Sequence, residues 1–321
     1  MQCRICGNEK GNRLFKFREM HIGLREEFTY FQCVNCRCIQ IEEIPENMSK
    51  YYPSDYYSFN LSPQSENVVK RAVRRQRDYY ALFNRGFIGG FIYRWFPSPV
   101  ELRSLYRVSS LTKDSTILDV GCGNGYFLCV LRDFDFKHLV GIDPYVRKGA
   151  DYGDHVKILK KSIHQIPGKY DLIMFHHSFE HIPDPRDTLL AVGRLLSSDG
   201  TCLIRIPVVD SWAWENYKEN WVLIDAPRHF FLHSYASMQI LAEHTGFKIR
   251  EVVCDSGLNQ FYGSEQYKRD IPLVAENSYK VNPSKSIFSK KEIRLFKEKA
   301  KQLNSIGQGD QAAFYLEKIH S

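Results

Sequence analysis

The stretch Thr116-Ile117-Leu118-Asp119-Val120-Gly121-Cys122-Gly123-Asn124-Gly125-Tyr126-Phe127-Leu128 decides the fold. It begins as an apolar run fit for a buried strand. Three glycines at alternate positions then turn the chain. Tyr126, Phe127, Leu128, Val130 and Leu131 continue as a helix. A strand, a glycine turn and a helix N-terminus make a site for a small ligand, because glycine has no side chain to hold a ligand off the backbone. The spacing is Gly-x-Gly-x-Gly, with Asp119 two residues before the first glycine. It differs from the Gly-x-Gly-x-x-Gly dinucleotide fingerprint.

The next strand, His138-Leu139-Val140-Gly141-Ile142-Asp143, ends on an acid about twenty residues past the glycines, where a doubly wound fold places a carboxylate for ribose hydroxyls. A later strand reads Tyr170-Asp171-Leu172-Ile173-Met174-Phe175. Together these motifs resemble the class I S-adenosylmethionine-dependent methyltransferases. The resemblance implies that Gly121, Gly123 and Gly125 flank the methionine part of the cofactor, with Asp119 nearby. It implies that Asp143 holds the ribose and that Ser162 and Ile163 border the adenine, where relatives often carry an acid. His176, at the end of the fourth strand, joins these cofactor neighbours, and Cys122 is given no catalytic role.

Strands are expected at 116–120, 138–142, 156–160, 171–175 and 201–206, a sixth over 247–254 and a last over 309–318. Alternating strands and helices argue for a parallel sheet covered on both faces. Asp184 and Pro185 open a helix that Asp199-Gly200 should end, and Ser234 opens another with Ile240 and Leu241 inward. Ser289-Lys290-Lys291-Glu292 is a capping box before a last helix, and 257–285 reads as irregular. The expected fold is α/β, a Rossmann-like seven-stranded methyltransferase sheet with a small N-terminal zinc ribbon and a helical cap. The expected segments are 1–58 (ribbon and aromatic linker), 59–113 (helical linker), 114–255 (core, with a lid loop at 207–231) and 256–321 (completion of the sheet).

The chain has 321 residues, a net charge of +7 and nine cysteines. No apolar run approaches the roughly 18–20 residues that span a bilayer, and the N-terminus lacks a signal-peptide core. A cytoplasmic protein with thiols or metal ligands is therefore expected, without disulfides. Cys3-x-x-Cys6 and Cys33-x-x-Cys36 form two chelating pairs, and four thiolates suit a tetrahedral structural zinc. Cys38 is a spare thiol. Lys70, Arg71, Arg74, Arg75 and Arg77 lie off the apolar face of a helix, a solvated face or a contact for phosphate, RNA or membrane. Gly86 and the Gly89-Gly90 pair should break that helix, and another is expected around 100–111.

After the fourth strand comes His176-His177-Ser178-Phe179-Glu180-His181-Ile182-Pro183-Asp184. In relatives a similar segment lies beside the transferable methyl. Either His181 or His177 is a general base, taken first because a free imidazole titrates near pH 6.5. Alternatively Glu180 and His181 build the loop by hydrogen bonds, or His177, Glu180 and His181 hold a metal. The long insertion after the fifth strand carries Trp212, Trp214 and Trp221, which suggests a lid. Asp225, Arg228 and His229 form a compact polar group. They either act on substrate, with Arg228 gripping a phosphate or carboxylate and His229 beside the chemistry, or pin the lid as an ion pair. Tyr56, in the aromatic strip at 51–59, either lines the substrate pocket together with Trp221 or packs between domains.

The ribbon, Glu-His-Ile-Pro-Asp and Pro-Arg-His together resemble bacterial methyltransferases of nucleotide-linked sugars and polysaccharide precursors, including sugar C-methyltransferases. The resemblance implies methyl transfer from S-adenosylmethionine to a small acceptor, a sugar nucleotide, with zinc as a structural ion. The alternatives are an RNA methyltransferase using the ribbon for recognition, and a ribbon adaptor with a relic fold.

Overall fold

The structure, a computed structural model, describes residues 1–52, 67–146, 149–153 and 155–319. Tyr56 and most of the aromatic strip lie outside the described residues. Strands β1 (Arg13–Arg18), β2 (Glu27–Gln32) and β3 (Ile39–Ile41) come first, then helices α1 (Val68–Phe83), α2 (Phe87–Trp95) and α3 (Val100–Leu105). The alternating stretch runs β4 (Thr116–Val120), α4 (Tyr126–Arg132), β5 (His138–Ile142), β6 (Ala150–Asp151), β7 (Val156–Leu159) and β8 (Tyr170–His176). It continues through α5 (Pro185–Leu195), β9 (Leu196–Pro207), α6 (Trp212–Tyr217), β10 (Phe231–Leu232), α7 (Tyr235–His244) and β11 (Phe247–Cys254). Helices α8 (Asn259–Tyr267) and α9 (Lys290–Ser305) and strand β12 (Gln311–Lys318) close the described chain. Packing gathers the chain into two units. One holds Met1–Ser54, His177–Leu190 and Arg205–Phe314; the other holds Asp55–His176, Ala191–Ile204 and Tyr315–Ser321. The division falls inside β9 and β12, so each unit is discontinuous in sequence.

The second unit carries the doubly wound sheet, in the order β12-β9-β8-β4-β5-β7-β6. Strands β8, β4, β5 and β7 run parallel, and β6 returns antiparallel on β7. Ile117, Leu118, Leu172, Ile173 and Met174 are fully buried, as the unbroken apolar runs of a two-sided sheet require. In α1 the Asn67 side chain accepts from Val69 N, and Asn84 closes the helix in the left-handed conformation. The break after α1 falls at Gly86, but Gly89 and Gly90 lie inside α2. A Cβ on Gly89 would sit 2.2 Å from the Gln76 carbonyl oxygen. That glycine is there to let two helices approach, so the expected second break is absent. The helix expected over 100–111 is also shorter, α3 giving way after Leu105 to turns in which Arg107 N and Val108 N bond three residues back.

The first unit is built on a separate sheet, β1-β2-β3-β10, antiparallel throughout. Its fourth strand, Phe231-Leu232, comes from the far end of the Pro-Arg-His segment. Two of the three tryptophans expected in a lid are core residues of this unit, while Trp212 is half-buried. Trp214 and Trp221 are buried, and Trp214 meets the Phe15 ring edge-on at 5.4 Å. Their large apolar faces are worth more in a core than over an open cleft. Ser234 caps α7, whose inner face is Ser237, Met238, Leu241 and Ala242, with Ile240 only half-buried. Within this unit β11 lies beside β12. The stretch read as irregular contains α8, and α9 opens on the expected Ser289–Glu292 capping box. Helix α5 stops at Leu195, so Asp199-Gly200 lies in the following strand and does not end the helix. Among the described residues no helix is long and apolar enough to cross a membrane.

Candidate functional site

The glycine turn sits at the carboxyl end of β4, where an open α/β sheet binds its ligands. Gly121, Gly123 and Gly125 all have positive φ. Gly121 N and Cys122 N donate to the Ile142 carbonyl at 2.8 and 3.2 Å, which ties the turn to the end of β5. Asp143 completes it: one carboxylate oxygen accepts from Gly123 N at 3.1 Å and the other from Tyr145 N at 2.8 Å. Gly125, at φ +77°, opens α4, and a Cβ there would lie 2.4 Å from Ile158 Cδ1. Conformation and space therefore both require glycine at this position. Asp119 is buried beneath the turn. Burial first, and the neighbouring Asp143 second, raise its carboxyl to about 7. The Cys122 thiol is pushed up, chiefly by burial, and is no nucleophile at neutral pH.

The other residues expected at the cofactor lie in the same unit. Ser162 precedes a single 3-10 turn, its N–H donating to Gln165 Oε1 at 2.9 Å, and Ile163 is buried behind it. His176 ends β8, with the Phe127 ring edge-on at 5.2 Å.

The polar group of the first unit centres on Glu180, which is fully buried. His177 Nδ1 faces its Oε1 at 3.4 Å, while His177 Nε2 lies 2.7 Å from Arg205 Nη1. Arginine can only donate, so that Nε2 accepts and has no lone pair left for a substrate proton. His181 Nδ1 lies 2.7 Å from the Arg228 carbonyl, and His229 Nδ1 lies 2.8 Å from the Leu223 carbonyl. Carbonyls only accept, so each ring carries a proton on Nδ1 and keeps only Nε2 for any further partner. His181 and His229 meet edge-on at 4.8 Å. Burial would raise the Glu180 carboxyl, but His177 and the two other imidazoles outweigh it and hold it at about 2. Burial, and then His229, lower His181 to about 4.

Asp225 and Arg228 form a buried pair through Arg228 Nη2, with a second bond from Arg228 Nε at 3.0 Å. Arg228 Nη1 donates to the Tyr51 carbonyl at 3.1 Å, and the guanidinium has no exposed surface. Trp221 is equally buried, its Nε1 donating to Asp310 at 3.0 Å. Neither side chain has an exposed atom with which to hold a substrate. In this structure they pin the insertion, which is the second of the two readings given to the polar group.

Two members of the cluster went unread in the sequence. His21 Nδ1 lies 3.3 Å from Asp225 Oδ1, which brings the ribbon segment into the group. Arg205 bonds Asp255 at 2.5 Å and Gln311 at 3.3 Å besides His177. An arginine inside the apolar run Cys202-Leu203-Ile204-Arg205-Ile206 was the available signal, since a charge there must be paired. No such signal marks His21.

Cys3, Cys6, Cys33 and Cys36 converge, with all four sulfurs within 4.8 Å of one another. Cys3 and Cys36 sulfurs are 3.5 Å apart, as are those of Cys6 and Cys33. A tetrahedron of zinc–sulfur bonds has edges of about 3.8 Å, so the sulfurs stand near the spacing such an ion would impose. Gln40 Nε2 donates to Cys3 Sγ at 2.9 Å, the kind of outer bond that orients a ligand. Cys38 is buried apart from this group.

Residues 97–252 match the family model described as "Methyltransferase domain". This segment has a methyltransferase fold, built on an α/β sheet of the Rossmann-like kind. It marks the chain as carrying an enzyme fold, with a four-cysteine cluster near its N-terminus of the zinc-ribbon kind. Among curated proteins, the chain is 32% identical over 169 residues to a tRNA U34 carboxymethyltransferase of Cellvibrio japonicus, covering 47% of this chain and 50% of that one. It is 26% identical over 152 residues to the enzyme of that name from Aliarcobacter butzleri, covering 44% and 50%. The chain thus spans about half the length of the curated relatives it matches. Among solved structures, a mycolic acid cyclopropane synthase complexed with SAH and CTAB is 18% identical, covering 80% of this chain and 99% of that one, with a TM-score of 0.44. The tRNA-directed names of the relatives overturn the expectation of a sugar-nucleotide acceptor and of a small molecule as the sole partner. The ribbon, Glu-His and Pro-Arg-His motifs had carried that expectation. The structure shows these segments building one unit's core, and core motifs do not specify an acceptor.

Proposed function

We propose that the chain is an S-adenosylmethionine-dependent transferase that modifies RNA, with tRNA as the substrate class. The observation that carries this is the match of the domain to tRNA-modifying relatives. A second feature agrees with it. Arg71, Arg74, Arg75 and Arg132 line an open hollow of about 260 Å³ in the second unit, with Asp133 and Asp135 beside them, so a net positive charge remains there for backbone phosphates. The four-cysteine cluster holds a structural zinc, and the ribbon at 1–58 serves RNA recognition.

The cofactor supplies an activated methyl group as a sulfonium. The chain's residues bind and orient it. The turn at Gly121, Gly123 and Gly125 would admit the methionine part, with Asp119 nearby. Asp143 holds the ribose, Ser162 and Ile163 border the adenine, and His176 closes the end of β8. The acceptor's proton is removed by the Glu180, His181 and His229 group, with His177 as a positioning residue. Orientation and exclusion of water supply the rest of the acceleration.

The test is transfer of label to total tRNA by the full chain. S-adenosylmethionine and its carboxymethyl analogue are assayed in parallel, because the relatives are named for carboxymethyl transfer. Label should enter RNA and be lost with Asp143→Ala, which should weaken S-adenosylhomocysteine binding at least tenfold. Cofactor binding without any label in RNA would sink the RNA reading and keep the fold.

A further inference from the structure

Glu180 poses a problem of charge. It is fully buried, and neither carboxylate oxygen has a hydrogen-bond partner. The facing His177 nitrogen, at 3.4 Å, lacks hydrogen-bond geometry. A carboxylate taken out of water and left without donors is costly, and a bound cation is one of the few partners that remove the cost.

The two nearest imidazoles deepen the problem. His181 and His229 both spend their Nδ1 protons on backbone carbonyls, of Arg228 and Leu223. Each ring therefore has only its Nε2 left for another partner. His229 Nε2 lies 3.9 Å from Glu180 Oε1, too far to satisfy that oxygen by a hydrogen bond. One ligand atom from each of Glu180, His181 and His229 falls within 4.8 Å of the others. Locking Nδ1–H on a carbonyl so that Nε2 points inward is how proteins orient metal-binding histidines.

From this convergence we infer that Glu180, His181 and His229 bind a divalent transition cation, at a site separate from the four cysteines. Two imidazoles and a carboxylate suit zinc and its neighbours, and suit magnesium and calcium poorly. Around a cation at 2.0–2.1 Å the donors would stand roughly 3.3 Å apart, so the triangle, whose atoms lie within 4.8 Å of one another, must close by up to about 1.5 Å at its widest. Three protein ligands leave at least one coordination position open, and His181 is half-buried, the least covered of the three. Asp225, at 3.7 Å from His229 Nε2, is already taken by Arg228 and His21 and stays outside the ligand set. On the reading proposed above, the three side chains would then act on the acceptor through the cation and not as free bases, an oxygen or nitrogen bound at the open position losing its proton more readily. Only that last step rests on the RNA reading; the cation site does not.

The experiment is cobalt(II) titration of the full chain after removal of metal. Two equivalents should bind, one with intense thiolate-to-cobalt absorption and one without it. Glu180→Gln, close in shape to the native residue, should abolish only the second, and the retained thiolate band reports an intact ribbon. His229→Gln should act likewise. A wild-type chain that binds one equivalent, or a Glu180→Gln chain that still binds two, overturns the site. Loss of the thiolate band alone would strike the zinc ribbon instead. Labelled tRNA without a second equivalent would uphold the proposed function and remove the cation.

Discussion

The glycine turn of the second unit and the Glu180 cluster of the first are held in opposite ways. The turn is mostly backbone: Gly121 N and Cys122 N bond the Ile142 carbonyl, Gly123 N bonds Asp143, and Gly125 fits only because it lacks a side chain. The cluster is mostly side chain. Arg205, Asp225, Arg228 and three histidines hold one another around a buried carboxylate. A backbone-built site can accept a new ligand with little rearrangement, since its donors are fixed by the strand and helix on either side. A side-chain network is as strong as its least replaceable charge, because removing one partner strands another in a medium that cannot solvate it.

The largest expected effect breaks the network. Asp225→Ala leaves the fully buried Arg228 guanidinium without its carboxylate and should cost about 3–5 kcal/mol of unfolding free energy. An exposed carboxylate provides the contrast. Asp270 pairs with Arg18 and Arg25 at 3.0 and 2.9 Å in solvent, and Asp270→Ala should cost far less than Asp225→Ala. Denaturant unfolding of both variants measures the difference. Equal costs would mean that the cluster is no more cooperative than a surface pair.

The two regions should also respond to pH with opposite signs. In the turn, Asp119 is raised to about 7 from an ordinary value near 3.8, chiefly by burial. A raised carboxyl contributes stability that is fully present below the unfolded pKa and is lost as pH rises through the folded one. Between pH 4 and 7 this should remove roughly 4 kcal/mol at most, at 1.36 kcal/mol per unit. In the cluster, burial pushes Asp225 up but Arg228 and His21 outweigh it, so its carboxyl is depressed well below the ordinary value. It contributes stability above the unfolded pKa, lost as pH falls. Stability measured against pH for Asp119→Asn should therefore lose the decline between pH 4 and 7 that the parent shows, when no cofactor is present. An unchanged profile would place Asp119 in water and not beneath the turn.

This difference also explains what could be read from the sequence. The strands at 116–120 and 138–142 were legible to the residue, and so was the acid at 143, because the turn, its strand and its helix are contiguous and glycine spacing is a local signal. The four cysteines were legible because paired chelation has a short range. The Glu180 cluster gathers His21, Arg205 and Arg228 from separate parts of the chain, and no local pattern links them. The misread features share that cause. Gly89 looks like a helix breaker until Gln76 is seen against it, and Trp214 looks like a lid until Phe15 and Phe17 are seen under it. The acceptor was misjudged for a different reason: the motifs that suggested a sugar are core motifs.

The smallest expected effect sharpens the reading of the turn itself. Ser162 was expected at the adenine edge, but in the structure it also supports its own 3-10 turn. Its N–H donates to Gln165 Oε1 at 2.9 Å, and its hydroxyl reaches the same oxygen at 3.3 Å. Ser162→Ala keeps the first bond and loses the second, which should cost a few tenths to about 1 kcal/mol of stability. If the hydroxyl serves only the turn, S-adenosylhomocysteine should bind the variant with unchanged affinity. If it also meets the adenine, affinity should fall severalfold while thermal stability falls no further. Affinity and unfolding measured on the same preparation separate the two roles. The backbone donors stay intact in either case, so a variant that lost cofactor binding entirely would show that this edge depends on its side chains as the Glu180 cluster does.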